Sequence, residues 1–380
     1  MEIKAAVLDA MGAESPYAVS KPLSIETLRL DGPGPGEVLV RVKAAGLCHS
    51  DLSVINGDRP RPMPMALGHE AAGIVEEVGR SAGGASGPVL ARGDHVVFVF
   101  VPSCGHCEPC TEGRPALCEP GAAANGAGTL LSGARRLHRD GGAAVNHHLG
   151  VSGFSEYATV SRRSLVKIDP ELPLVEAALF GCAVLTGVGA VINTSRMPAG
   201  SSAAVIGLGG VGLAALLGAV AAGARTIVAI DLADERLSFA RELGATATVN
   251  AADPDAAAQV IAATGGGVEY AFDLSGSVRA LDLAYRITRR GGTTVTAGLP
   301  PPTATMPLTP VSLVAEERTL KGSYIGTAVP NRDIPRYIRL YRRGLLPVDR
   351  LLTGTLDLKD INEGFDRLHD GQAIRQVVEL

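Results

Sequence analysis

Six cysteines occur in this chain, and their spacing divides them into two groups. Cys104, Cys107, Cys110 and Cys118 lie within "SCGHCEPCTEGRPALC", separated by two, two and seven residues. Four thiolates complete the tetrahedral shell of zinc and leave no open position, so such a site holds a loop together and does not catalyse. Ferredoxin-type iron–sulfur runs share the two-residue spacers, but their fourth cysteine follows after three residues and precedes proline. The seven-residue spacer here points to structural zinc. The other two, Cys48 in "GLCHSD" and Cys182 in "GCAVLTG", are far apart, with His69 of "LGHEAAG" between them. Two cysteines and one histidine make a three-ligand set with a vacant fourth position, the arrangement of catalytic zinc. Taken singly each has a plainer role, since a lone cysteine packs as a small hydrophobe.

A second chemistry is written in "GLGGVG", residues 207–212. Gly207 permits a tight turn from strand to helix and Gly209 lets the backbone approach a pyrophosphate, with Gly210 and Val211 opening the helix behind it. Gly212 lets that helix pack closely on the strand, and the helix N-terminus attracts the anion. Nineteen positions beyond Gly212, Asp231 ends the run "TIVAID", where it can accept hydrogen bonds from an adenosine ribose. Its charge would repel a 2′-phosphate, so NAD is expected rather than NADP.

These residues need elements to position them. A chain of 380 residues is long enough for two domains with real cores. The first ~180 residues, rich in Pro, Gly and short alternating runs such as "SIETLRL" and "EVLVRVKAAG", read as a β-rich domain. From about residue 184 apolar runs recur at 203–207, 226–230, 246–250, 269–274, 293–298 and 319–325. Helical stretches lie between them, among them "DERLSFARELG" with Gly244 as its stop. Six strands with crossover helices make a doubly wound parallel sheet. The last ~55 residues hold two helical stretches and a closing strand, "AIRQVVEL", and are expected to rejoin the first domain. Residues 119–150 are Gly- and Ala-rich with little periodicity, and are expected as a solvated loop carrying His138, His147 and His148.

Composition narrows the function classes. The net charge of −4 with dispersed Lys and Arg argues against a nucleic-acid or membrane-surface partner. The uncharged stretch from Met197 to Ala224 passes a length test for a membrane span, but its glycines break it into a short strand and a helix. "MEIKAAVLDA" alternates like a strand and lacks the apolar segment of an export signal, so a cytoplasmic location is expected. There, clustered cysteines are metal ligands more often than disulfides.

Together "GLCHSD", "LGHE", "GDHV", the four-cysteine loop, "GCAVLTG", "GLGGVG" and "AIRQVV" occur in the order of the zinc-dependent medium-chain alcohol dehydrogenases, which the sequence resembles over essentially its whole length. The resemblance implies a GroES-like β-rich catalytic domain, residues 1–183 and 325–380, with both zinc sites, and an NAD-binding Rossmann domain, residues 184–324. It implies catalytic zinc on Cys48, His69 and Cys182, and structural zinc on Cys104, Cys107, Cys110 and Cys118. Asp51 matches the acid that orients the ligand histidine, Glu70 the carboxylate behind the metal, and Ser50 the hydroxyl that takes the alcohol proton. His49 and Arg375 match pyrophosphate contacts, Val211 and Thr186 nicotinamide contacts, and Arg236 an adenosine-side contact. Ala297 and Leu299 match further cofactor positions, while Phe100, Leu299 and Tyr324 fall at substrate-pocket positions. The activity implied is reversible NAD-linked oxidation of a small-molecule alcohol to an aldehyde or ketone by a homodimer or tetramer.

Two departures from the family pattern stand out. The histidine that often ends the proton relay is replaced by Ser53. The arginine that glutathione-dependent formaldehyde dehydrogenases carry after the last structural cysteine is missing from "CEPGAAA", so specificity for a glutathione conjugate is not expected. Zinc-free quinone reductases share the architecture but lack the three-ligand set. A non-catalytic nucleotide-binding protein would leave Ser50 and Glu70 without a task.

Overall fold

The computed structural model describes residues 1–80 and 89–380. They form two compact units, one of Met1–Cys182, Val329–Arg336 and Leu352–Leu380, the other of Ala183–Ala328 and Tyr337–Leu351. The fold class read from the sequence, a β-rich part and a doubly wound parallel sheet, is the one observed.

In the first unit the strands Glu2–Leu8, Leu23–Leu30, Leu137–His138, Ala144–His147 and Met65–Ala66 close into a barrel. Alternation aims Ile3, Ala5, Val7, Leu28, Leu30 and Val145 into one core. The second sheet is built around Glu37–Gly46, whose side chains are buried along most of its length. This strand pairs antiparallel with Glu70–Val78, Tyr157–Ser161 and Arg375–Glu379. The closing strand belongs to the first unit, but residues 325–380 do not return there as one block, because Tyr337–Leu351 group with the second.

In the second unit six parallel strands lie in the order Ala247–Asn250, Thr226–Asp231, Ser202–Ile206, Val268–Asp273, Thr288–Thr296, Thr319–Gly322. Chain order reverses between Ser202–Ile206 and Val268–Asp273, which opens a crevice at their carboxyl ends. The strand expected at 293–298 starts at Thr288, and its pairing shifts register around "RRGG". The strand expected at 319–325 ends at Gly322, because Ile325, Gly326 and Thr327 turn left-handed, with φ of 47°, 67° and 49°.

The solvated-loop expectation for residues 119–150 is overturned. They contain the helix Glu119–Ala127 and two short barrel strands, and His147 and His148 are buried. The helix "EPGAAANGA" has no apolar stripe, and strands of two and four residues are too short to show a period. The uncharged stretch splits into the strand Ser202–Ile206 and the helix Gly210–Ala221. Among the described residues no single helix is long and apolar enough to cross a membrane.

Candidate active site

Cys48 follows the central strand and caps the helix His49–Ile55. His69 directly precedes the strand Glu70–Val78, whose register sets Glu70 opposite Gly46. Cys182 follows the 3₁₀ turn Ala178–Gly181. The side-chain ligand atoms of Cys48, His69, Glu70 and Cys182 lie within 4.8 Å of one another, and all four residues are buried. His69 Nδ1 is 3.1 Å from Asp51 Oδ1, while its Nε2 is buried with no hydrogen-bond partner among the described residues. A carboxylate on one ring nitrogen and an orphaned second nitrogen beside two thiols fit a zinc ion.

The charges around this cluster are strongly coupled. The Cys48 thiol is held well below its ordinary range, first by the hydrogen bond from Cys182 and then by Arg375 and His69. The same contact, together with burial, pushes the Cys182 thiol up. Burial pushes the Glu70 carboxyl up to about 8. Arg375 Nη1 donates to Glu70 Oε1 at 3.0 Å and to the carbonyl of Leu47 at 3.2 Å. Burial works against the charge on Arg375, but Glu70 and the thiols outweigh it and raise its pKa. The structure thus seats Arg375 on Glu70, a pairing not anticipated from the sequence.

Ser50 lies in the first turn of the helix after Cys48 and is half-buried, next to the exposed His49. The Ser53 hydroxyl donates to the carbonyl of His49 at 2.8 Å. Phe100 packs edge-on against the His69 ring, centroids 5.3 Å apart, and its carbonyl accepts from Asn125 Nδ2 at 2.8 Å. Asn125 and His148 are site-supporting residues that sequence reasoning missed. The histidine pair was visible, but nothing local told that His148 would be buried with Nδ1 3.1 Å from Asp51 Oδ1, a close approach without hydrogen-bond geometry.

The thiols of Cys104, Cys107, Cys110 and Cys118 also lie within 4.8 Å of one another. All six cysteines are free of disulfides. Backbone N–H groups point at the sulfurs: Cys104 N donates to Cys118 Sγ at 3.1 Å and Cys107 N to Cys104 Sγ at 3.3 Å. Burial pushes the Cys104 thiol up, but the N–H groups of His106 and Cys107 outweigh it and bring it down to about 7. Four convergent sulfurs with N–H donors behind them fit zinc, which requires thiolates.

In the second unit Gly207 ends the strand with φ of 84°, and a Cβ there would come 2.9 Å from Ser275 Cα. A Cβ on Gly212 would collide with the carbonyl of Gly207. One on Gly209 would meet no protein atom within 4 Å, which leaves open space before the helix that Gly210 begins. Asp231 Oδ2 accepts from Leu208 N at 2.6 Å and Oδ1 from Ala233 N at 3.0 Å, while Arg236 donates to the carbonyl of Leu208 at 3.3 Å. Open space at a helix N-terminus beside a fixed carboxylate fits a dinucleotide. Val211 and Thr186 are half-buried on the helices Gly210–Ala221 and Ala183–Gly189. Ala297 N donates to the carbonyl of Asp273 at 2.9 Å. Leu299 and Tyr324 are exposed, at 52% and 41%. Sequence reasoning also missed buried Asp273, whose carboxylate accepts from the Ser275 and Thr296 hydroxyls at 2.7 and 2.8 Å and so fixes the loop against Gly207.

Comparison with known proteins gives the family. Residues 34–170 match the family model described as alcohol dehydrogenase GroES-like domain, and residues 210–343 match that of zinc-binding dehydrogenase. The chain is 40% identical over 382 residues to the NDMA-dependent alcohol dehydrogenase of Amycolatopsis methanolica, covering 100% of this chain and 99% of the relative. It is 36% identical over 367 residues to the S-(hydroxymethyl)glutathione dehydrogenase of Paracoccus denitrificans, covering 94% and 96%. The crystal structure of benzyl alcohol dehydrogenase from Acinetobacter calcoaceticus superposes with a TM-score of 0.92 at 32% identity, covering 100% and 99%. The chain belongs to the zinc-type medium-chain alcohol dehydrogenases and is an oxidoreductase of that family.

Proposed function

We propose that this protein is a zinc-dependent, NAD-linked dehydrogenase that interconverts a medium-sized apolar or aromatic alcohol with its aldehyde or ketone. The observation that carries this reading is the unpartnered Nε2 of His69 facing the thiols of Cys48 and Cys182, while Asp51 holds Nδ1. These three residues would hold one zinc, and Cys104, Cys107, Cys110 and Cys118 a second. When bound, the catalytic zinc supplies a Lewis acid that makes an alcohol more acidic, and the nicotinamide supplies the hydride acceptor.

The chain's own residues do the rest. Cys48 and Cys182, as thiolates, would balance the charge of a bound dication. Asp51 keeps the His69 proton on Nδ1 and its lone pair on Nε2. Glu70, paired to Arg375, sits behind the cluster without adding an unpaired charge. The Ser50 hydroxyl accepts the alcohol proton and passes its own outward. Gly207, Gly209, Gly210, Val211 and Gly212 form the pyrophosphate cradle, with His49 and Arg375 as further contacts. Asp231 and Arg236 meet the adenosine side, and Thr186, Val211, Ala297 and Leu299 the nicotinamide side. Phe100, Leu299 and Tyr324, all apolar or aromatic, are the residues proposed to meet the substrate. The family member from Acinetobacter is named for benzyl alcohol, which fits the apolar and aromatic character of these side chains. A glutathione conjugate is not proposed, because no arginine follows Cys118 in "EPGAAA".

Elemental analysis of the wild type and Cys48→Ala tests the metal assignment. Two zincs per chain are expected in the first, and one zinc with turnover abolished in the second. A fully loaded wild type with one zinc refutes it. For the cofactor, kcat/KM is measured with NAD and NADP on primary, secondary and benzylic alcohols, and with NDMA as an alternative acceptor. NAD should be strongly preferred and Asp231→Gly should narrow that preference, chiefly through the KM for NAD. Equal efficiency with both cofactors in the wild type counts against the role given to Asp231.

A further inference from the structure

We propose that Asp273 is a positioning residue for the dinucleotide, and that its two carboxylate oxygens set two loops separately, one for each half of the cofactor. The proposal rests on the reading that the glycine turn takes NAD. Asp273 ends the strand Val268–Asp273, in register with Ile206 on one side and Thr296 on the other. These are the carboxyl ends of three neighbouring parallel strands, where a sheet of this kind takes its ligand. Asp273 is 2% exposed, and a carboxylate is sealed so deeply only when its oxygens have donors. Oδ1 accepts from the N–H of Ser275 at 3.1 Å and from its hydroxyl at 2.7 Å. Oδ2 accepts from the Thr296 hydroxyl at 2.8 Å. Each oxygen thus serves a different loop.

The Ser275 arm leads to the glycine turn. Ser275 Oγ also accepts from Ser277 N at 3.0 Å, which fixes the turn before the helix Val278–Ile287. Leu274 N donates to the carbonyl of Ile206, the residue before Gly207, at 2.9 Å. A Cβ on Gly207 would come 2.9 Å from both Cα and Cβ of Ser275, so the glycine turn leans directly on the residue that Oδ1 holds. The Thr296 arm leads the other way, to Ala297 and Leu299. Ala297 N and Gly298 N both donate to the Asp273 carbonyl, at 2.9 and 3.2 Å. A Cβ on Gly298 would come 3.3 Å from Oδ2 and collide with Gly276 N, so this loop is packed against the same carboxylate. Hydroxyl bonds to an ionised acceptor are about twice as strong as neutral ones. Loss of the Ser275 hydroxyl therefore loosens the pyrophosphate side, and loss of the Thr296 hydroxyl the nicotinamide side.

The test is fluorescence titration of the zinc-loaded protein with NADH, competition by ADP-ribose, and thermal melts. Thr296→Val removes the hydroxyl at nearly constant volume. It should weaken NADH about tenfold, the scale of one hydrogen bond to a charged group, and leave ADP-ribose, which lacks the nicotinamide, at wild-type affinity. Ser275→Ala should weaken both ligands about equally. Thr296→Ser keeps the hydroxyl and should restore NADH binding. Asp273→Asn can turn its oxygen to Ser275 and its amide to the Thr296 oxygen, and should bind both ligands close to wild type, whereas Asp273→Leu should lose both. Should the Leu variant not fold, the single-hydroxyl variants decide. Lower melting temperatures with both affinities unchanged, or Thr296→Val weakening the two ligands alike, overturns the proposal. So does a Thr296→Ser variant as weak as Val. A wild type that does not bind NADH overturns the NAD reading and the proposal with it, and is told apart because it needs no variant.

Discussion

A histidine sealed in an apolar interior resists protonation, and His147 is such a residue. Burial, aided by Arg135, Arg136 and His138, pushes its pKa from 6.5 down to about 3. Its Nε2 accepts from Arg136 N at 3.0 Å, so the neutral ring is part of the fold. The stability it contributes is fully present above pH 6.5 and is lost as pH falls toward 3. At pH 5 the loss is about 2 kcal/mol. Urea denaturation of wild type and His147→Gln at pH 5 and 7.5 should show a pH dependence smaller by about that amount in the variant. Identical pH dependences would contradict it. For chemistry, Ser50→Ala should slow alcohol oxidation on the order of a hundredfold. Because the Ser53 hydroxyl is committed to the carbonyl of His49, Ser53→His should alter proton release between about pH 6 and 8. Pre-steady-state proton release unaltered in Ser50→Ala would remove the serine from the proton path.

At the scale of elements, the glycine turn separates two effects that one motif usually blends. Gly212→Ala drives a methyl into the carbonyl of Gly207 and should lower stability by about 1–3 kcal/mol as well as weakening the dinucleotide. Gly209→Ala puts a methyl into open space, so melting should be unchanged while NADH binding, followed by fluorescence titration, weakens at least tenfold. A similar drop in melting temperature for both would show that Gly209 has a packing role instead. This motif was legible in the sequence because its chemistry is local, three glycines and a following acid within one strand–helix–strand unit. The residues that could hold a metal were legible only because they sit in short motifs of distinctive composition. Nothing local could reveal that Arg375 would meet Glu70, a pair 305 residues apart, or that Asn125 would pin Phe100. Residues 119–150 were misread for a related reason: their order comes from barrel pairing and from burial of His147 and His148, not from a period of their own.

At the scale of the whole molecule, the four-cysteine loop would be a fastening once it holds zinc. Cys107→Ala should remove one zinc and lower the melting temperature, while the remaining zinc and the intrinsic turnover persist at low temperature. Loss of both zincs in that variant would mean the two centres are not independent. The strand Arg375–Glu379 has a different reach. It completes the sheet around Glu37–Gly46 and brings the guanidinium that neutralises Glu70, yet the six parallel strands lie between those two halves in the chain. During synthesis, residues 202–322 can assemble their sheet from one continuous stretch, while the nascent β-rich half waits with an open edge and a carboxyl whose counter-charge has yet to emerge. The pair of Glu70 and Arg375 is therefore expected to form last, and a ribosome-held chain halted before residue 375 should carry a folded parallel sheet together with a Glu70 still lacking its partner.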